Sequence, residues 1–434
     1  MNTIKAGVGR VTITPPVGMY LPGMERMEDS HGLRDDVYAT ALSISDADQE
    51  VVIVSLDALL VHPEFVARVR RQANEQTGIP PENLMFCATH CHSGPVTQAY
   101  ENSRPIFRAY VDNLAYLLTG LIRMAHDNLA PAQLGYGTGN SSIGINRRLT
   151  KPDGTTIIAA NPEGPVDHQV GVLRVDDAVG QPIAIIANYA CHPVVLGNGS
   201  NVISADWPGA MRRTVERESG AKLLFIQGAA ADINPWPGEP TDSGDILERL
   251  GTSIGGEVLS VWARLQTQKE GRVQALQEKI WLPLQPVSQY SGKTPDFVEL
   301  EEAVGEMSLE QFQAWLEELM PWSAELQGDG DLKKVAMELQ AFKIGDVALV
   351  SAGGEIFVET GLAVKQRSPL NSTMFAGYSN GSVGYIPLPE DFPRGGYEVY
   401  EAYLGYRLPA PVAPEAAGLI EDHAVELLSR LTGS

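Results

Sequence analysis

Cysteine is scarce in this sequence of 434 residues. Only Cys87, Cys91 and Cys191 are present, and an odd, small number in so long a chain does not make a disulfide framework. We expect these residues to be small buried side chains rather than metal ligands or nucleophiles. This usage favours a reducing compartment, and we predict a cytoplasmic protein.

Long apolar runs and an excess of basic residues are also missing. No stretch approaches the length of a membrane-spanning helix, and the N-terminus lacks the apolar segment of a secretory signal. The chain has 32 basic against 54 acidic residues, a formal net charge of −22. This charge argues against nucleic acid or an anionic membrane surface as the main partner. We therefore expect a small-molecule substrate and no membrane association, while the oligomeric state is not indicated.

The sequence does contain an alternation of apolar, β-branched runs with helical patterns. Residues 50–57 form a run typical of a strand buried on both faces. A helical pattern at 63–77 and an apolar run at 84–92 follow, which predicts a strand–helix–strand unit. Further helices are predicted at 105–129, 243–266 and about 414–432, and a hairpin at 336–351. The predicted class is α/β, with mixed β-sheets and outer helices.

A His-x-His pair follows the apolar run at residues 84–92. Residues two apart in a strand project to the same face, so we expect His90 and His92 to point together from the end of the strand. Two imidazoles that converge there suit a divalent metal or acid/base chemistry. One buried histidine beside a bystander is the alternative interpretation.

Other apolar runs also end in polar residues. Asp57, His192 and Glu355 each follow such a run, and polar groups at strand ends meet where α/β sheets usually bind ligands. Three nitrogen or oxygen ligands with an open position describe a catalytic zinc site, which activates water and polarises a carbonyl. Manganese or iron would accept the same donors. A glutamate at a strand end, taken alone, more often has a structural than a catalytic role.

Ordered blocks across most of the chain resemble the neutral ceramidase family, the zinc-dependent amidases that cleave N-acylsphingosine. The most specific block is ATHCHSGP at residues 88–95. The others, in the family's order, are AGVGRVTITPPVG at 6–18, SLD at 55–57, TGIPPENL at 77–84, INRR at 145–148, HP at 192–193, SADWPG at 204–209, QGAAAD at 227–232, GE at 354–355, YSN at 378–380, Tyr385, and YE at 397–398.

The resemblance implies a role for each matching residue. It implies one zinc ion per chain, with metal ligands at His90, His192, Glu355 and Tyr385. It places His92 beside the metal to assist the reacting carbonyl or its leaving group, Tyr397 at the oxyanion, and Arg147 against the substrate. Asp57 and Asp206 would orient ligands or a backbone loop, although a structural role for Asp57 and an ordinary ion pair for Arg147 are equally consistent with the sequence.

The chain also departs from the family. The full ceramidases carry a C-terminal immunoglobulin-like domain, which we expect to be lacking here, and Cys91 and Ala205 replace polar residues common in the family. We predict a single catalytic domain over residues 1–434, with an acidic helical insertion at about 290–330.

These observations predict a zinc-dependent hydrolase that cleaves the amide C–N bond of a small N-acyl compound by metal-activated water. A metal-dependent esterase, lactonase or sugar-ester hydrolase is the main alternative, because the same centre attacks esters. True ceramidase activity and a non-catalytic binding protein are the remaining alternatives.

Overall fold

The fold was derived from a computed structural model, which describes residues 2–24, 28–98, 104–290 and 325–432. Most of the predicted helical insertion at about 290–330 therefore lies outside the described residues. The division of the chain into domains stays a prediction.

The described residues form seven α-helices. They are α1 (Pro63–Thr77), α2 (Pro105–Asp127), α3 (Asp206–Ser219), α4 (Gly244–Arg264), α5 (Val358–Arg367), α6 (Tyr397–Tyr400) and α7 (Ala416–Arg430). Four of these, α1, α2, α4 and α7, confirm the helices predicted from the sequence within two residues at each end. None of the described helices is long and apolar enough to cross a bilayer.

The same residues form 22 β-strands. They are β1 (Asn2–Thr3), β2 (Lys5–Thr12), β3 (Gly32–Leu33), β4 (Tyr38–Ser45), β5 (Glu50–Leu56), β6 (Leu84–Ala88), β7 (Ala130–Asn140), β8 (Gly144–Thr150), β9 (Thr156–Asn161), β10 (Gln169–Asp177), β11 (Pro182–Tyr189), β12 (Val202–Ile203), β13 (Lys222–Gln227), β14 (Ile233–Pro235), β15 (Glu270–Gly271), β16 (Val273–Pro283), β17 (Leu326–Gln327), β18 (Lys334–Ile344), β19 (Val347–Ala352), β20 (Glu355–Ile356), β21 (Ser372–Ala376) and β22 (Tyr385–Ile386).

Two sheets organise the molecule. The first has eight strands in the order β13-β11-β10-β7-β2-β4-β5-β6, and the second has the order β16-β18-β19-β21 with β17 beside β18. Both sheets are mixed, since β5 and β6, β11 and β13, and β19 and β21 pair in parallel while their other pairs are antiparallel. The β5–α1–β6 unit and the β18–β19 hairpin confirm the two motifs predicted from the sequence.

The hydrophobic core has one layer between the two sheets and further layers between the sheets and the helices that cover them. Ile53 and Ile186 of the first sheet share a buried cluster with Phe342 and Leu349 of the second. Helices α2 and α4 cover the outer face of the first sheet, and α5 and α7 cover the second. Each fully buried aliphatic side chain contributes about 1.5–3 kcal/mol, so the long apolar strands account for much of the stability. This arrangement confirms the predicted α/β class with outer helices.

Local signals set the ends of the helix that connects β5 to β6. Pro63 occupies the first turn of α1, where its missing N–H costs nothing, and the His62 ring accepts a hydrogen bond from the Glu64 N–H at 3.3 Å. Gly78 ends the helix in the left-handed region at φ 76°. The helix therefore returns the chain to β6, whose carboxyl end leads into the His-x-His pair.

Candidate metal centre

His90 and His192 follow the carboxyl ends of two strands of the first sheet. His192 comes three residues after β11, and His90 comes two residues after β6. The predicted strand at 84–92 is too long, because β6 ends at Ala88 and His90 has a left-handed backbone with φ 63°. A turn, not strand alternation, therefore brings His90 and His92 together, with their Nε2 atoms 3.1 Å apart.

Each of the three imidazoles is oriented by a backbone carbonyl. A carbonyl can only accept a hydrogen bond, so each Nδ1 carries a proton and Nε2 is the nitrogen that remains to face a metal. The acceptors are the carbonyls of Leu59 for His90 (2.9 Å), Ala230 for His192 (2.6 Å) and Gly23 for His92. The ligand nitrogens of the three rings all lie within 4.8 Å of one another.

Glu355 adds a carboxylate to the three imidazoles. Its Oε2 lies 3.4 Å from His90 Nε2 and 3.5 Å from His192 Nε2. Donor atoms that share one tetrahedral zinc ion lie about 3.3 Å apart, given bonds of about 2.0–2.1 Å. The His90–His92, His90–Glu355 and His192–Glu355 contacts, at 3.1, 3.4 and 3.5 Å, therefore have the separations of ligands around a single ion.

The surroundings of these nitrogens also fit a cation. His192 Nε2 is buried and has no hydrogen-bond partner among the described residues. The Nε2 atoms of His90 and His92 face each other at hydrogen-bond distance although both Nδ1 atoms are already donors. Two lone pairs at this distance repel unless a proton or a metal ion lies between them. The residues present thus fit a metal ion with nitrogen and oxygen ligands.

The electrostatics of the centre keep the donors in the forms that bind metals. Burial, followed by the charge of Arg147, lowers the pKa of His192 to about 3. Burial and the neighbouring imidazoles lower the pKa of His92 well below its ordinary value. Burial opposes ionisation of Glu355, but the adjacent His90 and His192 outweigh it and hold the pKa of this carboxyl well below its usual range.

Two tyrosines that the sequence did not single out enclose Glu355. The ring of Tyr378 stacks on His90 with centroids 4.1 Å apart, and its hydroxyl lies 3.4 Å from Glu355 Oε2. The Tyr406 hydroxyl donates a hydrogen bond to Glu355 Oε1. Tyr378 begins one of the blocks that resemble the ceramidases, whereas the only signal for Tyr406 was the local abundance of tyrosine and glycine in residues 377–406.

Tyr385 lies beside Glu355 in the fold. Strands β20 and β22 pair in parallel, with Glu355 and Tyr385 directly opposite each other. Burial, followed by the charge of Glu355, raises the pKa of Tyr385 well above its ordinary value. The structure therefore brings the fourth predicted metal ligand next to the third.

Arg147 contacts protein groups on every side. It is buried, and its Nη2 donates to the Tyr385 hydroxyl at 3.0 Å, its Nε to Glu398 Oε1 at 3.0 Å, and its Nη1 to Asn234 Oδ1 at 3.2 Å. Glu398 also accepts a 2.5 Å hydrogen bond from Arg148. Arg147 therefore orients Tyr385, and its predicted contact with substrate stays a prediction.

Tyr397 lies at the exposed side of the centre. Its side chain is 40% exposed, and its ring meets the ring of Tyr385 edge to face with centroids 5.7 Å apart. It begins α6, directly before Glu398. Tyr397 is thus accessible to a molecule that approaches Tyr385 from solvent.

The two predicted supporting aspartates differ in what they contact. Asp206 accepts hydrogen bonds from the N–H groups of Val195 (3.3 Å) and Leu196 (2.9 Å), in the loop that follows His192. Asp57 instead accepts from Arg212 Nη2 at 2.6 Å and from the Tyr38 N–H at 2.9 Å. Asp206 therefore holds a loop next to a candidate ligand, whereas the contacts of Asp57 stabilise the packing of α3 against the first sheet.

Known proteins resemble this chain in both sequence and fold. A family model described as neutral/alkaline non-lysosomal ceramidase, N-terminal, matches residues 4–231, more than half of the chain. The neutral ceramidase of Pseudomonas aeruginosa is 25% identical over 474 aligned positions, covering 90% of this chain and 68% of the relative. Neutral ceramidase A of Dictyostelium discoideum is 23% identical over 296 positions, covering 60% of this chain and only 40% of the relative.

A solved structure shows the same fold. The crystal structure of neutral ceramidase from Pseudomonas aeruginosa superimposes with a TM-score of 0.72 at 23% sequence identity. The match covers 99% of this chain and 75% of that chain. At this identity the likeness establishes the fold alone.

Proposed function

Because the chain belongs to the neutral/alkaline non-lysosomal ceramidase family, we propose that it is a zinc-dependent hydrolase of an amide bond in a small N-acyl compound. The observation that carries this proposal is a cluster of three carbonyl-oriented imidazoles, two of which, His90 and His192, face the same oxygen of a buried carboxylate. The relatives are named ceramidases, which supports amide hydrolysis as the reaction class.

The proposed metal ligands are His90, His192, Glu355 and Tyr385. Glu355 Oε2 lies at the donor separation of a tetrahedral site from both His90 and His192, and Tyr385 lies opposite Glu355 across two paired strands. When bound there, one zinc ion per chain would polarise the substrate carbonyl and lower the pKa of a water molecule to about 7. The same donors would accept manganese or iron, so the identity of the metal is part of the proposal.

His92, Tyr397 and Arg147 have the remaining roles in the proposal. His92 is a neutral base whose Nδ1 proton is held by Gly23, so its Nε2 can take up a proton and deliver it to the leaving amine. Tyr397 presents a phenol at the exposed side of Tyr385, where it can donate to the charge that develops on the substrate oxygen. Arg147 keeps the Tyr385 hydroxyl oriented toward the centre.

The size of the substrate is proposed from the charge of the chain. A formal net charge of −22 is unfavourable for contact with an anionic membrane surface, where a ceramide with two alkyl chains would be presented. A small polar N-acyl compound meets no such obstacle. An ester or lactone remains the second candidate substrate, because the chemistry of the centre does not distinguish it from an amide.

The test combines metal analysis with matched substrates. Elemental analysis of the purified protein should find about one zinc per chain, and His90→Ala should lose it. His92→Ala should retain the metal while kcat for an N-acyl substrate falls by about 10²–10⁴-fold. Turnover of only the ester in matched ester and amide pairs would favour the esterase, and metal-loaded protein inert on both would favour a binding protein.

Full metal content in the His90→Ala variant would contradict the ligand assignment. Loss of metal in His92→Ala would instead make His92 a third nitrogen ligand, an arrangement that its 3.1 Å contact with His90 also permits.

A further inference from the structure

The two oxygens of Glu355 have different surroundings. Oε2 faces the imidazoles of His90 and His192 at 3.4 and 3.5 Å, and the Tyr378 hydroxyl lies 3.4 Å from it. Oε1 accepts the hydrogen bond of the Tyr406 phenol. Both side chains are buried, so water does not compete strongly for either oxygen. The shorter of the two phenol contacts is thus at Oε1, while Oε2 is directed at the centre.

The fold places Tyr406 specifically against this carboxylate. Gly384 adopts φ +83°, and a Cβ at that position would lie 2.8 Å from Cδ2 of the Tyr406 ring. The carbonyl of the same glycine accepts a hydrogen bond from the Glu355 N–H at 2.9 Å. Gly384 therefore fixes the backbone of Glu355 and leaves room for the ring whose hydroxyl fixes its side chain.

We propose that Tyr406 is a positioning residue that restrains Glu355 to bind the metal through Oε2 alone. This inference rests on the metal centre of the proposed function and adds a determinant of its coordination number. A carboxylate can bind an ion through one or both oxygens, and a second bound oxygen would fill the position that an open catalytic site leaves for water or substrate. The Tyr406 hydrogen bond holds Oε1 away from that position.

The variant Tyr406→Phe removes the hydroxyl and keeps the aromatic ring packed against Gly384. Partners of ligating carboxylates typically contribute 10–100-fold to metal affinity or activity, so the Kd for Zn²⁺, measured by competition with a chelator, should rise by about 10–100-fold. With Co²⁺ in place of Zn²⁺, the visible absorption should weaken, because cobalt with five or six ligands absorbs less strongly than four-coordinate cobalt.

Tyr110→Phe is the matched control. Tyr110 is also buried, and its hydroxyl donates to the backbone carbonyl of Ile13, so it reports the cost of losing a buried phenol elsewhere. We expect this variant to keep the Zn²⁺ affinity and the cobalt spectrum of the unmodified protein. Comparison of the two thermal unfolding curves separates a change at the centre from a general loss of stability.

Three results would overturn the inference. If Tyr406→Phe is folded and has an unchanged Zn²⁺ Kd and cobalt spectrum, Tyr406 only fills space. If Tyr110→Phe changes the metal properties equally, the effect is not specific to Glu355. If the unmodified protein itself binds no stoichiometric metal, the proposed function fails together with this inference, a result distinct from the first two.

Discussion

The two sheets contribute to the candidate centre in different ways. The eight-stranded sheet supplies the histidines, which lie just beyond the buried carboxyl ends of β6 and β11. The oxygen donors come from the other half of the molecule, where Glu355 and Tyr385 lie on two-residue strands, β20 and β22, that pair only with each other. The nitrogen side of the centre therefore depends on strands of a large sheet, whereas the oxygen side depends on a short strand pair and on side-chain contacts.

The family model matches the nitrogen side of the centre but not the oxygen side. The matched residues, 4–231, include His90, His92, Arg147 and His192. Glu355, Tyr385, Tyr397 and Tyr406 all lie beyond them. The family model thus covers the nitrogen side of the site, and experiments on the two sides test whether both belong to one centre.

The largest expected effect is the loss of metal from either half. His192→Ala removes an imidazole from the nitrogen side. Glu355→Gln removes the carboxylate charge from the oxygen side and keeps the volume of the side chain. We expect metal content to fall from about one ion per chain to a small fraction in both variants, as measured by elemental analysis after dialysis. Glu355→Gln with full metal content would show that the oxygen half does not take part.

The next effect concerns the stability of the oxygen half. Glu398 is buried and bridges Arg147 (3.0 Å) and Arg148 (2.5 Å). Glu398→Gln leaves two buried guanidinium groups without their shared charge, which should lower the free energy of unfolding by about 3–5 kcal/mol. Urea unfolding followed by circular dichroism measures this change.

An exposed carboxylate that also bridges two arginines provides the control for Glu398. Glu248 accepts from Arg34 at 3.1 Å and from Arg213 at 2.6 Å, and its side chain is 46% exposed. Glu248→Gln should cost less than about 1 kcal/mol, since exposed ion pairs contribute little. Equal losses in the two variants would mean that burial does not distinguish these networks.

The smallest effect is a pH dependence of stability near the oxygen half. Burial, followed by the charges of Asp391 and Glu390, raises the pKa of Glu359 from 4.5 to about 7 against the opposing charge of Arg148. The folded protein thus prefers the neutral carboxyl, and this contribution to stability is complete below about pH 4.5 and is lost as the pH rises through 7. Glu359 also faces the buried Asp232, whose pKa is raised by burial and by the charge of Glu359.

Glu359→Gln keeps a neutral side chain at every pH. Relative to the unmodified protein, we expect the variant to gain about 2 kcal/mol of stability between pH 5 and pH 8, measured as the difference in the free energy of unfolding. Glu426→Gln, an exposed change on α7, serves as the control. A stability difference that does not vary with pH would contradict the assignment.

Local patterns were enough to predict the α/β class and the histidine side of the centre. His90 and His192 each follow an apolar run that is typical of a buried strand, so the pattern predicts their position at the sheet edge. The predicted length of the strand before His90 was wrong. The apolar pattern of residues 84–92 does not indicate that His90 has a left-handed backbone, which ends the strand. That conformation depends on the loop it contacts.

The oxygen side was less predictable for a physical reason. The contact between Tyr406 and Glu355 and the three bonds of Arg147 join residues that are 51 to 251 positions apart. No periodicity connects such residues, so their roles depend on the assembled fold. The resemblance pointed to Arg147, but its orientation toward Tyr385 became visible only in the structure.

The carbonyl acceptors of the three imidazoles come from widely separated parts of the chain. Gly23, Leu59 and Ala230 belong to three different loops, so the choice of tautomer at each histidine is made by tertiary structure and not by the local motif. A peptide that contained only the His-x-His pair would be free to offer either ring nitrogen to a metal. Which nitrogen faces the metal is thus a long-range property of the fold. It is determined only when the N-terminal loop and the loops that follow β5 and β13 have folded.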